Sequence, residues 1–122
     1  MWWVREYLLL NPYGRPLLVY FRRGRNIEIS GVKFMNSPRF HIKLRDMDGV
    51  YCHDFEIYTD TKGQENLNQL LGGEKFTSSK LRLTVPIFPL NTDGLDPSGA
   101  NILIERLNIT CFDDAVAIKP AH

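Results

Sequence analysis

From Asn26 onward the apolar positions of the chain repeat in register. Asn26–Phe34 reads NIEISGVKF, Gly49–Ile57 reads GVYCHDFEI and Asn101–Ile109 reads NILIERLNI. Aligned, Ile27, Val50 and Ile102 coincide, as do Ile29, Cys52 and Ile104. Val32, Phe55 and Leu107 follow, then Phe34, Ile57 and Ile109. Within each unit the apolar residues alternate every second position, with a phase break at Gly31, His53–Asp54 or Glu105–Arg106. Alternation of this kind puts successive side chains on opposite faces of a strand. Each unit therefore predicts two short strands with one face inward and a bend between them.

The first and second units begin 23 residues apart (26 to 49), and the second and third 52 apart (49 to 101), one period plus a 29-residue excess. A repeat of this length with strands in each unit indicates a solenoid. No LxxLxLxxN pattern supports a leucine-rich repeat, and the alternation with Val, Ile, Tyr and Phe opposes a helical one. An all-β, right-handed parallel β-helix of about three to four coils remains, as a single partial domain over 1–122. Leu17–Phe21, a short apolar run bounded by turn signals, predicts a buried strand. A further strand per coil is predicted at Phe40–Leu44, near Leu95 and at Ala115–Ile118. In Phe40–Leu44, Ile42 and Leu44 share one face, with His41 and Lys43 on the other. Setting Leu95 beside Val116 puts Asp93 beside Asp114. Parallel neighbours lie about 4.8 Å apart, so the carboxylates of two successive coils would meet.

The excess is a predicted loop insertion at about 61–79. Leu67, Leu70 and Leu71 have the spacing of a helical turn that Gly72-Gly73 would end, and Leu81–Phe88 re-enters as a strand. A long excursion from a coil often borders the binding face of a solenoid. Trp2, Trp3, Tyr7 and Leu8–Leu10 form an aromatic and apolar opening, closed by a turn at Asn11–Pro16.

Composition narrows the classes. Apolar residues make up 43% and charged residues 24% of the 122 residues, ordinary for a globular domain. A net charge of +1 gives no whole-chain case for nucleic-acid or membrane partners. Arg22, Arg23 and Arg25 read as a solvated turn. The two cysteines, Cys52 and Cys111, sit in apolar neighbourhoods that predict buried core positions. They define no disulfide framework and no zinc spacing. The N-terminus lacks the pattern of a signal peptide. A cytosolic protein, a processed chain or a fragment would each fit, and the motifs below favour a fragment.

Asn91–Pro120, NTDGLDPSGANILIERLNITCFDDAVAIKP, holds the candidate chemistry. Asp93 with Asp96 and Asp113 with Asp114 form two acidic clusters one coil apart. Like charges gathered on one surface raise one another's pKa. Glycoside hydrolysis uses such crowding, because a protonated acid must donate to the leaving oxygen while a carboxylate activates water. The same residues also suit β-turns, and carboxylates can bind calcium. On the residues alone, turn chemistry, acid/base catalysis and a metal all stay open, although the DxDxDG spacing of a calcium loop is absent. Asn108-Ile109-Thr110 forms an N-glycosylation sequon at Asn108.

NTDG at 91–94, the Asp113-Asp114 pair with AIK at 117–119, Asn36-Ser37-Pro38 and the NILIE strand resemble the polygalacturonases, glycoside hydrolase family 28. The GLDPSGANI and FDDAVAIKP wording is most similar to the exo-acting branch. The resemblance implies a pectin-lyase-like β-helix that hydrolyses α-1,4-galacturonosyl linkages with inversion, without cofactor or metal. It implies Asp113 as general acid, Asp93 and Asp114 as holders of the attacking water, and Asn91 as their orienting residue. Lys119 would lie near substrate carboxylates. The substrate would be a pectic polysaccharide, and the whole protein an extracellular monomer. Phe112 replaces the family's usual Gly or Gln, and Ala115 its usual Cys. The family's Gly-His-Gly and Arg-Ile-Lys segments are not present in these 122 residues. This chain alone is therefore expected to be weakly active or inactive, and prone to self-association. A rhamnogalacturonan or xylogalacturonan hydrolase, or a pectin-binding remnant without activity, are the alternatives.

Overall fold

The computed structural model describes residues 14–62, 89 and 91–121. Five strands form one sheet: β1 (Val19–Arg22), β2 (Arg25–Ser30), β3 (Lys33–Met35), β4 (Ile42–Tyr58) and β5 (Leu95–Thr110). Every pairing is parallel. β4 is a full coil, flanked on one side by β1, β2 and β3 in succession and on the other by β5. A fourth level begins where Val116 bridges Leu95. This is a parallel β-helix.

The register follows the apolar repeat. Ile27 pairs with Val50 and Val50 with Ile102, then Ile29 with Cys52 and Cys52 with Ile104. Phe34, Ile57 and Ile109 align in the same way. Ile42, Leu44, Met47, Val50, Cys52, Phe55, Ile57 and Leu95 form the buried core. The aligned residues of β2, β3 and β5 pack against it half-buried. Burial is greatest in β4 because only the middle coil has a neighbour on both sides.

The bends also stack. Gly31, Asp54 and Arg106 all have positive φ, at the predicted phase breaks. Asn26, Gly49 and Asn101 form a second aligned set of positive-φ corners. Left-handed backbone favours Gly and Asn, which explains four of these six sites, all but Asp54 and Arg106. Asp54 and Arg106 instead hold each other through two hydrogen bonds of 2.8 Å.

Three expectations change. β1 starts at Val19 and not at Leu17, because Leu18 donates to Phe40 O at the weaker 3.3 Å while Val19 makes a full 2.9 Å bond to His41 O. Nor is it a buried strand: Val19 is half-buried, and Tyr20, Phe21 and Arg22 are exposed. His41, on the face opposite Ile42, is fully buried. Its Nδ1 meets Asp93 O at 3.1 Å and its Nε2 accepts from Ser37 N at 3.3 Å. Cys111 is not a core residue. It is half-buried, with Sγ directed at Asp113 O at 3.2 Å, whereas Cys52 is fully buried as expected. The helical turn and strand expected within 63–88, the aromatic opening and His122 lie outside the described residues.

Candidate active site

The stacking of the third level on the fourth builds the site. Gly94 N donates to Asp114 O and Leu95 N to Ala115 O, both at 3.0 Å, which sets Asp93 beside Asp114. Gly94 is required there, since a Cβ would collide with the Ala115 carbonyl. Thr92 is fully buried and ties the two levels together: its hydroxyl donates to Pro89 O at 2.8 Å and accepts from Phe112 N at 3.1 Å. One carboxylate oxygen from each of Asp93, Asp113 and Asp114 lies within 4.8 Å of the others.

The three acids differ in setting. Asp113 and Asp114 are exposed, whereas Asp93 is only 4% exposed and forms the floor. Asp93 Oδ1 is buried without a hydrogen-bond donor among the described residues. Burial, then the charges of Asp96 and Asp113, push the Asp93 carboxyl up to about 6. An ionised carboxylate buried with one oxygen lacking a donor and with two like-charged neighbours is poorly solvated, so its proton affinity rises. Asp113 is held at both oxygens: Oδ1 accepts from Asp114 N at 2.9 Å and Oδ2 from Asn91 Nδ2 at 3.3 Å.

The structure brings Asn91, Asp93, Asp113 and Asp114 together as the sequence anticipated. Lys119 is held by an ion pair within the fold. Its Nζ pairs at 3.1 Å with Asp96, which is fully buried. Burial raises the Asp96 carboxyl, and the Asp96 contact raises the Lys119 ammonium in turn. Asn108 is exposed in β5, away from the acid cluster, opposite Glu56 in the register.

Two contributors escaped the sequence. Arg15 is 5% exposed, donating to Asn91 Oδ1 at 2.8 Å and to Pro38 O at 3.0 Å. His41 supports the backbone of Asp93, and burial lowers its pKa, so its neutral ring donates from Nδ1 to Asp93 O. The GRP turn around Arg15 gave no sign of a contact 76 positions away. For His41, the register was the available signal: the strand pairing that sets Ile42 on Leu95 places His41 over Gly94.

Chemically, a buried carboxyl with raised proton affinity lies beside two exposed carboxyl groups able to reach a ligand. That arrangement can donate a proton and activate water. A cation could also sit among the three acids, since the same unbalanced negative charge that raises the proton affinity of Asp93 attracts a metal ion.

Comparisons with known proteins agree with this chemistry. The model described as glycosyl hydrolases family 28 matches residues 8–122. An endo-polygalacturonase of Pectobacterium carotovorum subsp. carotovorum is 32% identical over 105 residues, 85% of this chain and 20% of that protein. A probable endo-xylogalacturonan hydrolase A of Neosartorya fischeri is 28% identical over 90% of this chain and 22% of its own length. A polygalacturonase of Cryptomeria japonica is 27% identical over 95% of this chain and 18% of its own. The chain thus spans about a fifth of the length of these relatives. No solved structure matches it. With a family match over nearly its whole length and a parallel β-helix bearing the three acids, the chain belongs to glycoside hydrolase family 28.

Proposed function

We propose that this chain carries the acid/base cluster of an enzyme that hydrolyses α-1,4-galacturonosyl linkages in pectic polygalacturonate. The observation that supports it most is the meeting of Asp93, Asp113 and Asp114 within 4.8 Å, one of them buried and slow to ionise. Asp113 is exposed, so it serves as the acid that protonates the glycosidic oxygen. Asp93 and Asp114 hold and deprotonate the water that attacks from the opposite side of the sugar, which inverts the anomeric carbon. Lys119, already paired with Asp96, offsets the acids beneath the substrate more than it binds the sugar. A polymer of plant cell walls as substrate places the whole protein outside the cell.

Exo action rests on the wording around the motifs, whereas the relatives carry endo-polygalacturonase and endo-xylogalacturonan hydrolase names. The products separate these. Chromatography after incubation with polygalacturonate shows galacturonate as the first product for exo cleavage and a ladder of oligomers for endo cleavage. Cleavage of xylogalacturonan with none of polygalacturonate would replace the proposed substrate by the branched one.

A further inference from the structure

We propose that Arg15 is a positioning residue for the acid cluster: it fixes the Asn91 side-chain amide so that the N–H end, and not the carbonyl, faces Asp113. In its catalytic meaning the inference rests on the hydrolase function proposed above; the contact itself does not. An asparagine amide offers an acceptor on one side and two donors on the other, and the two are nearly isosteric. What selects between them is the network. A guanidinium can only donate, so Asn91 Oδ1, 2.8 Å from Arg15 Nη2, has to be the end turned toward it. The amide nitrogen is then left 3.3 Å from Asp113 Oδ2 as a donor. The flipped amide would set an acceptor against the carboxylate and a donor against the guanidinium, two repulsive contacts in place of two attractive ones.

Both ends of this relay are anchored. Arg15 Nη1 donates to Pro38 O at 3.0 Å, which holds the guanidinium to the corner between the first and second coils. Asn91 sits at φ 57°, a left-handed conformation that Asn tolerates and that directs its side chain between Arg15 and Asp113. Arg15 is 5% exposed, and a charged side chain is seldom buried to that extent without specific partners. Asp114 N supplies the bond to the other Asp113 oxygen. Arg15 and Asn91 therefore complete the set of bonds that fixes the plane of the Asp113 carboxyl. The charged groups around that carboxyl are Asp93, Asp96 and Asp114, with Lys119 bound to Asp96.

The test uses nitrogen-15 NMR of the chain over a pH series, read at the Asn91 side-chain amide. In the wild type these resonances move as the acid cluster titrates. Arg15→Met abolishes that movement, and Arg15→Lys, which keeps a donor, recovers part of it. The Asn101 side-chain amide, which donates to Asp48 Oδ1 at 2.9 Å far from Arg15, keeps its own movement in all three and reports an intact fold. Wild-type movement of Asn91 in Arg15→Met overturns the proposal. Should Arg15→Met not fold, the wild type decides: separate Hη signals from a restrained Arg15 guanidinium support the relay, and freely averaged ones overturn it. Neither readout depends on hydrolysis, so failure of the proposed activity leaves this result standing, and the reverse.

Discussion

Asp93 is where stability and chemistry conflict at the scale of single residues. Its carboxyl is pushed up to about 6 by burial and by its acidic neighbours. A raised carboxyl pKa means the folded chain binds the proton more tightly than the unfolded one. Stability is then complete below the unfolded value near 4 and falls as pH rises toward 6. Asp93→Asn removes this cost. Thermal unfolding should show the variant more stable than wild type at pH 7, by roughly 1–3 kcal/mol for a shift of about two units, and no more stable at pH 3. The same variant should lose hydrolysis. Equal stability of the two proteins at pH 7 would show that Asp93 is better solvated than its burial implies. At this scale the three acids and Asn91 were legible because they sit in two short motifs. Arg15, His41 and the Asp96–Lys119 pair were not, since each acts across coils and local pattern carries no trace of such contacts.

Among elements, the outer face of the coils carries a polar ladder. His53 in β4 lies 2.6 Å from Glu28 in β2 and 2.6 Å from Asp54. Arg106 in β5 grips Asp54 and reaches Tyr51, which stacks on His53 with centroids 4.0 Å apart. Hydrogen bonds that the His53 ring donates to Asp54 and then to Glu28 raise its pKa. A raised histidine pKa gives stability that is fully present below about 6.5 and lost as pH rises through the higher folded value. His53→Gln should therefore lower the melting temperature at pH 5.5 more than at pH 8.5, and an equal drop at both would count against the ladder. Core and edge positions differ as well. Ile57 is 0% exposed and Leu103 is 53% exposed. Denaturant unfolding should show Ile57→Ala costing about 2–5 kcal/mol and Leu103→Ala within about 0.5. Strand register was legible because the apolar positions of three units coincide and a one-residue slip would turn every one of them outward. The one-residue shift in register between Leu44 and Met47 was not, as it depends on Gly99 meeting the Met47 backbone, where no side chain fits.

For the whole molecule, a β-helix is stabilised chiefly by neighbouring coils. Val116 makes the only bridge on the far side of β5 among the described residues, so most of that edge offers unpaired backbone groups. Ile118, Leu103 and Val116 stand exposed beside it. Sedimentation should show mass rising with protein concentration, and a monomer at all concentrations would mean the edge is covered. The stack of coils was legible from the repeat, and the acid cluster at its third and fourth levels follows from it.

The central claim is that these stacked acids cleave galacturonan with inversion. Proton NMR of the anomeric signals during incubation of polygalacturonate with the whole protein, this chain alone being expected to be weakly active or inactive, tests it most directly. The account predicts that newly released reducing ends appear first as the β anomer, and that Asp113→Asn releases none. Reducing ends appearing first as the α anomer, or no difference between wild type and Asp113→Asn, would contradict it.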